Sequence, residues 1–203
     1  VAAIAEMRSA PDGAPLLLTD ATWESGELPI RKPGIYFGEI VDARLTPQVT
    51  AGTEVMPFDK ATLLAHEITP VRELPALVPA KSWVDDAGRT IYDFGQNAAG
   101  NVLIRVSGPA GSRVIVEHGE VLDEKGQFYN GNYRSAAARL EYTLSGQGEE
   151  TYTPTFTFQG YRYARVTLEG GAQLLDIVSA PISSVTEVKA SFTSANPLVD
   201  RLF

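Results

Sequence analysis

The sequence contains no cysteine. That excludes a disulfide scaffold, a thiolate zinc site and a cysteine nucleophile. Histidine is almost as scarce, with two residues in 203, too few for a histidine-rich metal centre. Basic charge is also short: 17 Lys and Arg stand against 25 Asp and Glu, a formal net charge of −8. A dedicated nucleic-acid binder draws its affinity from Lys and Arg on phosphates, so this balance argues against one. Long apolar runs are missing, and no stretch approaches the roughly 20 apolar residues that span a bilayer. The opening Val1-Ala2-Ala3-Ile4-Ala5-Glu6-Met7-Arg8 has no basic region and no apolar core, so it does not read as a signal peptide. The chain reads as soluble, without a membrane partner. Cytoplasm, periplasm and secretion are all compatible with the lack of cysteine.

What remains is ordinary for a folded chain. The apolar fraction is 44%, with 18 Gly and 13 Pro, and the length allows one large or two small domains. The dominant signal is short β-strands separated by turns. Val102, Ile104 and Val106 alternate with other side chains, and Val114, Val116 and His118 do the same after the turn Ser107-Gly108-Pro109-Ala110-Gly111-Ser112. Two alternating runs around a Gly- and Pro-bearing turn predict a hairpin. Further strands are expected at 90–94, 138–145, 151–158, 161–168 and 174–182. Their spacing predicts an all-β chain built as an antiparallel β-sandwich of jelly-roll or concanavalin-like type. Helical periodicity is nearly absent before residue 190.

The organisation reads in four parts. Residues 1–46 form a small β segment with strands at 16–18 and 35–45, too little to bury a core alone. Residues 47–62 read as a linker, because Thr46-Pro47-Gln48-Val49-Thr50-Ala51-Gly52-Thr53 offers turn chemistry and no sustained period. Residues 63–189 hold the sandwich. Residues 190–203 read as a helix start, with Ser194 or Asn196 as cap, Pro197 at the first helical position and Leu198, Val199, Leu202 and Phe203 opening an apolar stripe. Such a short helix is not stable alone, which favours a severed domain junction.

Chemistry is harder to find. A hydrolase needs an acid and a base across a bond, or a nucleophile beside a base. Four carboxylate pairs are close in sequence: Glu39 with Asp42, Asp85 with Asp86, Glu117 with Glu120, and Glu149 with Glu150. On an extended segment Glu39 and Asp42 point to opposite faces. Asp85-Asp86-Ala87-Gly88 reads as a turn, and Glu149-Glu150 after Gly148 as a solvated one. Each pair reads as structural rather than catalytic. His118 falls on a strand face with Val114 and Val116 and reads as a buried structural histidine, while His66 reads as local to the connection. No nucleophile elbow, phosphate-binding loop or dinucleotide fingerprint occurs. Binding stays open. Trp23, Trp83, Tyr92, Phe94, Tyr129, Tyr133, Tyr161 and Tyr163 could stack on a sugar. Asp93, Gln96, Asn97, Asn130 and Asn132 could supply hydrogen bonds or calcium ligands. Core and turn roles are the more common use of such residues in a sandwich.

Five segments in order carry a resemblance. They are Gly38-Glu39-Ile40-Val41-Asp42-Ala43-Arg44; Tyr92-Asp93-Phe94-Gly95-Gln96-Asn97-Ala98-Ala99-Gly100; Gly108-Pro109-Ala110-Gly111 with His118-Gly119-Glu120-Val121-Leu122; Phe156-Thr157-Phe158-Gln159-Gly160-Tyr161-Arg162-Tyr163; and Ser194-Ala195-Asn196-Pro197-Leu198. Together they resemble bacterial α-L-rhamnosidases of glycoside hydrolase family 78, over most of residues 35–203. The resemblance implies that the Asp93 segment opens a concanavalin-like sandwich and the Gln159 segment lies near its end. Gln159 stands where the family more often has His. Gly38 to Arg44 resembles the last strand of a preceding β domain, and Asn196-Pro197-Leu198 the opening of an (α/α)6 barrel. In the family that barrel carries the inverting carboxylates, and inversion needs two carboxyls about 6.5–9.5 Å apart. No catalytic residue is therefore expected in this chain.

The leading expectation is a non-catalytic sandwich portion of an α-L-rhamnosidase-like glycosidase, inactive alone, whose partner is a catalytic barrel absent from this chain. The first alternative is a carbohydrate-binding module for rhamnose-type sugars. Its candidate ligands are Glu39, Asp42, Asp93 and Asn97; no cofactor is required, and calcium is the one ion they could recruit. The second alternative is a scaffold unrelated to sugar chemistry, which predicts no apolar docking patch where the terminal helix emerges.

Overall fold

The structure is a computed structural model, and it describes residues 3–10, 12–64, 67–185 and 187–202. His66 lies outside the described residues. Among the described residues, ten strands join in one hydrogen-bonded sheet that curls into two layers. The Thr90–Ser107 strand belongs to both layers. Its first part pairs with Lys81–Val84 and with the second half of Gln159–Glu169. Its last part pairs with Glu149–Tyr152 and Gln173–Ser183.

On the first layer the order continues from Gln159–Glu169 through Arg113–Gly119 and Arg139–Thr143 to Gly38–Asp42 and Ile30–Gly34. Gly38–Asp42 runs parallel to Arg139–Thr143, and the other pairings between these strands are antiparallel. Hydrogen bonding thus links the amino-terminal segment directly to the sandwich. Among the described residues three smaller pairs, Glu6–Arg8 with Pro15–Leu18, Glu24–Glu27 with Gln48–Gly52 and Val121–Leu122 with Phe128–Tyr129, lie outside the main sheet.

The core follows from period-two alternation. Val114 and Val116 from one layer, with Leu140, Tyr142, Ala164 and Val166, share a buried cluster with Val102, Ile104, Val106 and Ile177 of the other. This corrects the expected hairpin. The strands on either side of the 107–112 turn do not pair with each other. Arg113–Gly119 pairs with Arg139–Thr143 and Gln159–Glu169, whereas the end of Thr90–Ser107 pairs with Glu149–Tyr152 and Gln173–Ser183. The turn is an arch that carries the chain from one layer to the other. Alternation reports which face is buried, and facing strands alternate just as paired ones do.

Two further differences have local causes. Gln48–Gly52 is a strand rather than linker; all five of its residues are exposed, so it carries no alternation to read. The expected strand at 151–158 is instead Glu149–Tyr152 followed by a loop. The terminal helix Pro197–Asp200 forms as expected, with Asn196 Oδ1 accepting from the Leu198 N–H at 3.0 Å.

Gly38 shows why its position admits no side chain. Its φ is +97°, and a Cβ there would collide with the backbone of Arg139 on the parallel neighbour. Replacing Gly38 with Ala is expected to cost about 2 kcal/mol or more, since it combines left-handed strain with a backbone clash. Urea denaturation of the variant checks this.

Candidate functional site

Glu39 and Asp42 leave the same strand on opposite faces, as extended geometry requires. Glu39 is 1% exposed. Its carboxylate accepts from the Tyr152 hydroxyl at 3.1 Å, from the Thr155 N–H at 3.1 and 3.2 Å, and from the Phe156 N–H at 2.9 Å. No cation is among these partners. The buried charge is held by three neutral donors, two of them backbone groups of one turn. Tyr152 stacks on Tyr142 with ring centroids 4.7 Å apart. The Tyr142 hydroxyl in turn donates to Glu150 at 2.9 Å. Glu150 also accepts from the Ser145 and Gly146 N–H groups, each at 3.0 Å. These bonds offset burial and hold its pKa below the usual range. Glu150 is thus the organiser of the 145–150 turn and not the solvated residue expected.

Asp42 faces outward and is gripped by Arg44, whose Nε and Nη2 donate at 2.9 and 2.7 Å. The guanidinium holds the Asp42 carboxyl below its ordinary range.

Asp93 and Asn97 flank a large bulge. Tyr161 pairs with Ala98 and Tyr163 with Asp93, so the four residues Phe94 to Asn97 lie opposite the single Arg162. Asp93 builds that bulge. Its Oδ1 accepts from the Gly95 N–H at 2.7 Å, with Gly95 at φ +77°, and Arg162 donates to both oxygens at 2.8 and 2.9 Å. Arg162 first, and then the Gly95 N–H, hold the Asp93 carboxyl below the ordinary range against its burial. Phe94 turns inward, edge-on to Tyr161 at 5.8 Å. Asn97 stays outside and donates to Glu120 at 3.4 Å, while Asn132 donates to the other Glu120 oxygen at 3.1 Å. The Tyr133 hydroxyl donates to the Gly160 carbonyl beside them at 2.6 Å.

Two of the segments that carry the resemblance thereby acquire positions. The Asp93-Phe94-Gly95-Gln96-Asn97 run is the corner of the long strand. The Phe156-Thr157-Phe158-Gln159 run pins the hairpin around Tyr36: Gln159 Nε2 donates to the Ile35 carbonyl at 3.2 Å and to Thr157 Oγ1 at 3.1 Å, and Thr157 donates to the Gly34 carbonyl at 3.1 Å. Residues 85–182 match the bacterial alpha-L-rhamnosidase concanavalin-like domain. That stretch belongs to this family.

An alpha-L-rhamnosidase of Streptomyces avermitilis is 42% identical over 159 residues, covering 71% of this chain and 15% of its own length. The crystal structure of native alpha-L-rhamnosidase from Aspergillus terreus aligns with a TM-score of 0.81 and 31% identity, over 95% of this chain and 24% of that one. The Streptomyces avermitilis alpha-L-rhamnosidase solved with L-rhamnose gives a TM-score of 0.77 and 32% identity, over 97% of this chain and 20% of that one. The chain thus spans less than a quarter of these relatives.

The candidate aromatic residues divide. Phe94, Tyr161 and Tyr163 are buried, whereas Trp23 and Tyr129 are exposed. Among the described residues, no group of three or more His, Cys, Asp or Glu is arranged to hold a metal. A shallow cleft of about 340 Å³ lies in the amino-terminal part, lined by Gly26, Glu27, Leu28, Ile30, Arg31, Pro33 and Phe156. Arg31 and Glu27 pair in it at 3.0 Å. Sequence reasoning missed this cleft because Phe156 reaches it from the far end of the chain. The signal that could have found it is the pair of aromatics, Phe156 and Phe158, flanking Thr157.

Proposed function

We propose that this chain is the non-catalytic sandwich portion of an alpha-L-rhamnosidase-like glycosidase, and that it supports a catalytic domain formed by other parts of the polypeptide. One observation carries the reading. The family match comes with a chain in which Glu39, Asp93 and Glu150 are each consumed by structural donors. An inverting pair needs free carboxyls about 6.5–9.5 Å apart across a sugar. Exposed apolar residues support the docking role. Tyr36 and Phe156 are 66% and 56% exposed, and Leu198 and Leu202 extend from the terminal helix segment into solvent. The tip near Tyr36 is also rigid, because the Ala138 and Arg139 N–H groups bind the Tyr36 and Phe37 carbonyls at 3.1 and 3.2 Å. Held apolar groups of this kind suit a domain interface. The test compares this chain with the whole product of its reading frame on a chromogenic α-L-rhamnoside. Turnover is expected from a longer product carrying a helical domain and from no shorter piece. A frame encoding no such domain would overturn the reading.

A carbohydrate-binding reading is favoured by the cleft beneath Phe156, where an aromatic ring, Ile30 and Pro33 meet the Arg31–Glu27 pair. That combination suits a sugar with one apolar edge and several hydroxyls. All four candidate ligands are engaged, Glu39 by Phe156, Asp42 by Arg44, Asp93 by Arg162 and Asn97 by Glu120, so this reading rests on the cleft. Calorimetry with L-rhamnose, with and without calcium, tests it. Heat of binding that Phe156→Ala removes supports the cleft. No heat at millimolar sugar in either condition rejects the reading.

A further inference from the structure

The segment from Tyr129 to Ala138 connects Phe128–Tyr129 to the Arg139–Thr143 strand. It holds two non-glycine residues at positive φ, Arg134 at 55° and Ala138 at 44°. It also holds Asn130 followed by Gly131. We propose that Asn130 is a self-modification site, converting to aspartate and isoaspartate through attack by the Gly131 backbone nitrogen.

The chain has five asparagines, and they differ in their fitness for this reaction. In the reaction the main-chain nitrogen of the next residue bonds to the side-chain amide carbon. The carbon–nitrogen bond of the amide breaks, and ammonia leaves. The cyclic imide then opens with water at either carbonyl. The nitrogen must be unhindered and free, and the carboxamide must be unheld. Asn97 and Asn132 fail, because their amides donate to Glu120 at 3.4 and 3.1 Å and bulkier Ala98 and Tyr133 follow. Asn101 lies inside the Thr90–Ser107 strand, with its side-chain amide facing the Thr157 and Gly100 carbonyls, which its NH2 group satisfies as donor. Asn196 accepts from Leu198 at 3.0 Å and precedes Pro197, whose nitrogen carries no proton.

Asn130 differs in its free carboxamide and in having glycine as its successor. Its side chain makes no capping hydrogen bond and has no partner among the described residues. The attacking nitrogen belongs to an exposed glycine that opens the 3-10 helix Gly131–Tyr133, with the Tyr129 ring packed against it. The backbone at Asn130 must rotate for attack. One turn bond, Tyr133 N–H to Asn130 O at 3.1 Å, resists that rotation. The product adds a negative charge two residues from Asn132, which is already tied to Glu120, within a loop that carries backbone strain. Isoaspartate also lengthens the main chain by one methylene. The modification therefore acts on the polar surface formed by Asn97, Glu120 and Asn132.

The test is ageing of the purified full chain in mildly alkaline buffer, followed by peptide mapping with mass spectrometry and isoaspartyl methyltransferase labelling. Exchange of ammonia for water is expected first at Asn130, several-fold faster than at any other asparagine, and no labelling of this peptide is expected in Asn130→Gln. Earlier conversion at another asparagine overturns the proposal. So does a folded chain that stays unmodified at Asn130 while a short peptide of the same sequence converts.

Discussion

Glu39→Ala is expected to destabilise the chain by about 3 kcal/mol or more, because each buried donor left unpaired costs about 1–3 kcal/mol. The carboxylate removed is the shared acceptor for Tyr152, Thr155 and Phe156. Those donors sit more than a hundred residues away in sequence, so Glu39 ties the Gly38–Asp42 strand to the turn that follows Glu149–Tyr152. A cavity beneath Tyr152 adds to the loss. Tyr152→Phe supplies the control. It removes one bond while keeping the ring stacked on Tyr142, and about 1 kcal/mol is expected. Glu39→Gln should fall between them, since one oxygen survives and the new NH2 faces a backbone N–H. Urea midpoints at constant m-value read all three. A Glu39→Ala loss no larger than that of Tyr152→Phe would show that the carboxylate is not the tie.

The second large effect is an acid limb set by His118. The ring is fully buried, and the Nδ1 atom lies 2.7 Å from the Ala138 carbonyl. A carbonyl only accepts, so Nδ1 carries the proton. Nε2 then presents a bare lone pair with no partner among the described residues, beside the edge of Tyr161 at 4.7 Å. Burial disfavours the imidazolium and pushes the pKa down to about 4, against an opposing contribution from the Ala138 bond. The unfolded chain binds a proton near 6.5 and the folded chain only near 4. Between these values the unfolded state holds more protons, so stability falls as pH drops through that window and is fully present above 6.5. The shift corresponds to about 3 kcal/mol. His118→Asn, which keeps a donor toward Ala138 and cannot titrate, is expected to flatten the pH 4 to 6.5 limb measured by urea denaturation. The carboxylates with lowered pKa, Asp42, Asp85, Asp93 and Glu150, act at more acidic pH and leave a separate limb in both proteins. An unchanged slope between pH 4 and 6.5 in His118→Asn would reject the assignment.

Much of this was legible in the sequence, for physical reasons. Alternation of Val102, Ile104, Val106, Val114, Val116 and His118 identified the buried faces, because period two survives any choice of neighbour. It did not identify the neighbours, and the predicted hairpin became an arch between layers. The turn at Asp85 was readable because its bonds are local: Oδ1 accepts from Ala87 and Arg89 at 3.0 and 2.9 Å. The terminal cap at Asn196 was readable for the same reason. The roles of Asp93 and Glu39 were not, since Arg162 lies 69 residues from Asp93 and the donors to Glu39 lie farther still. A sequence shows a carboxylate as available until its distant donors are placed. Glu150 was misjudged for a related reason, because one of its donors, Tyr142, arrives from another strand.

Under the proposed function, the carboxylates of this chain hold the sandwich together and leave chemistry to other parts of an alpha-L-rhamnosidase-like protein. The most direct measurement is hydrolysis of a chromogenic α-L-rhamnoside by the purified chain alone. The predicted rate equals that of buffer, with and without added calcium. Turnover that survives repurification and disappears in a folded variant such as Asp42→Asn or Glu120→Gln would contradict the account.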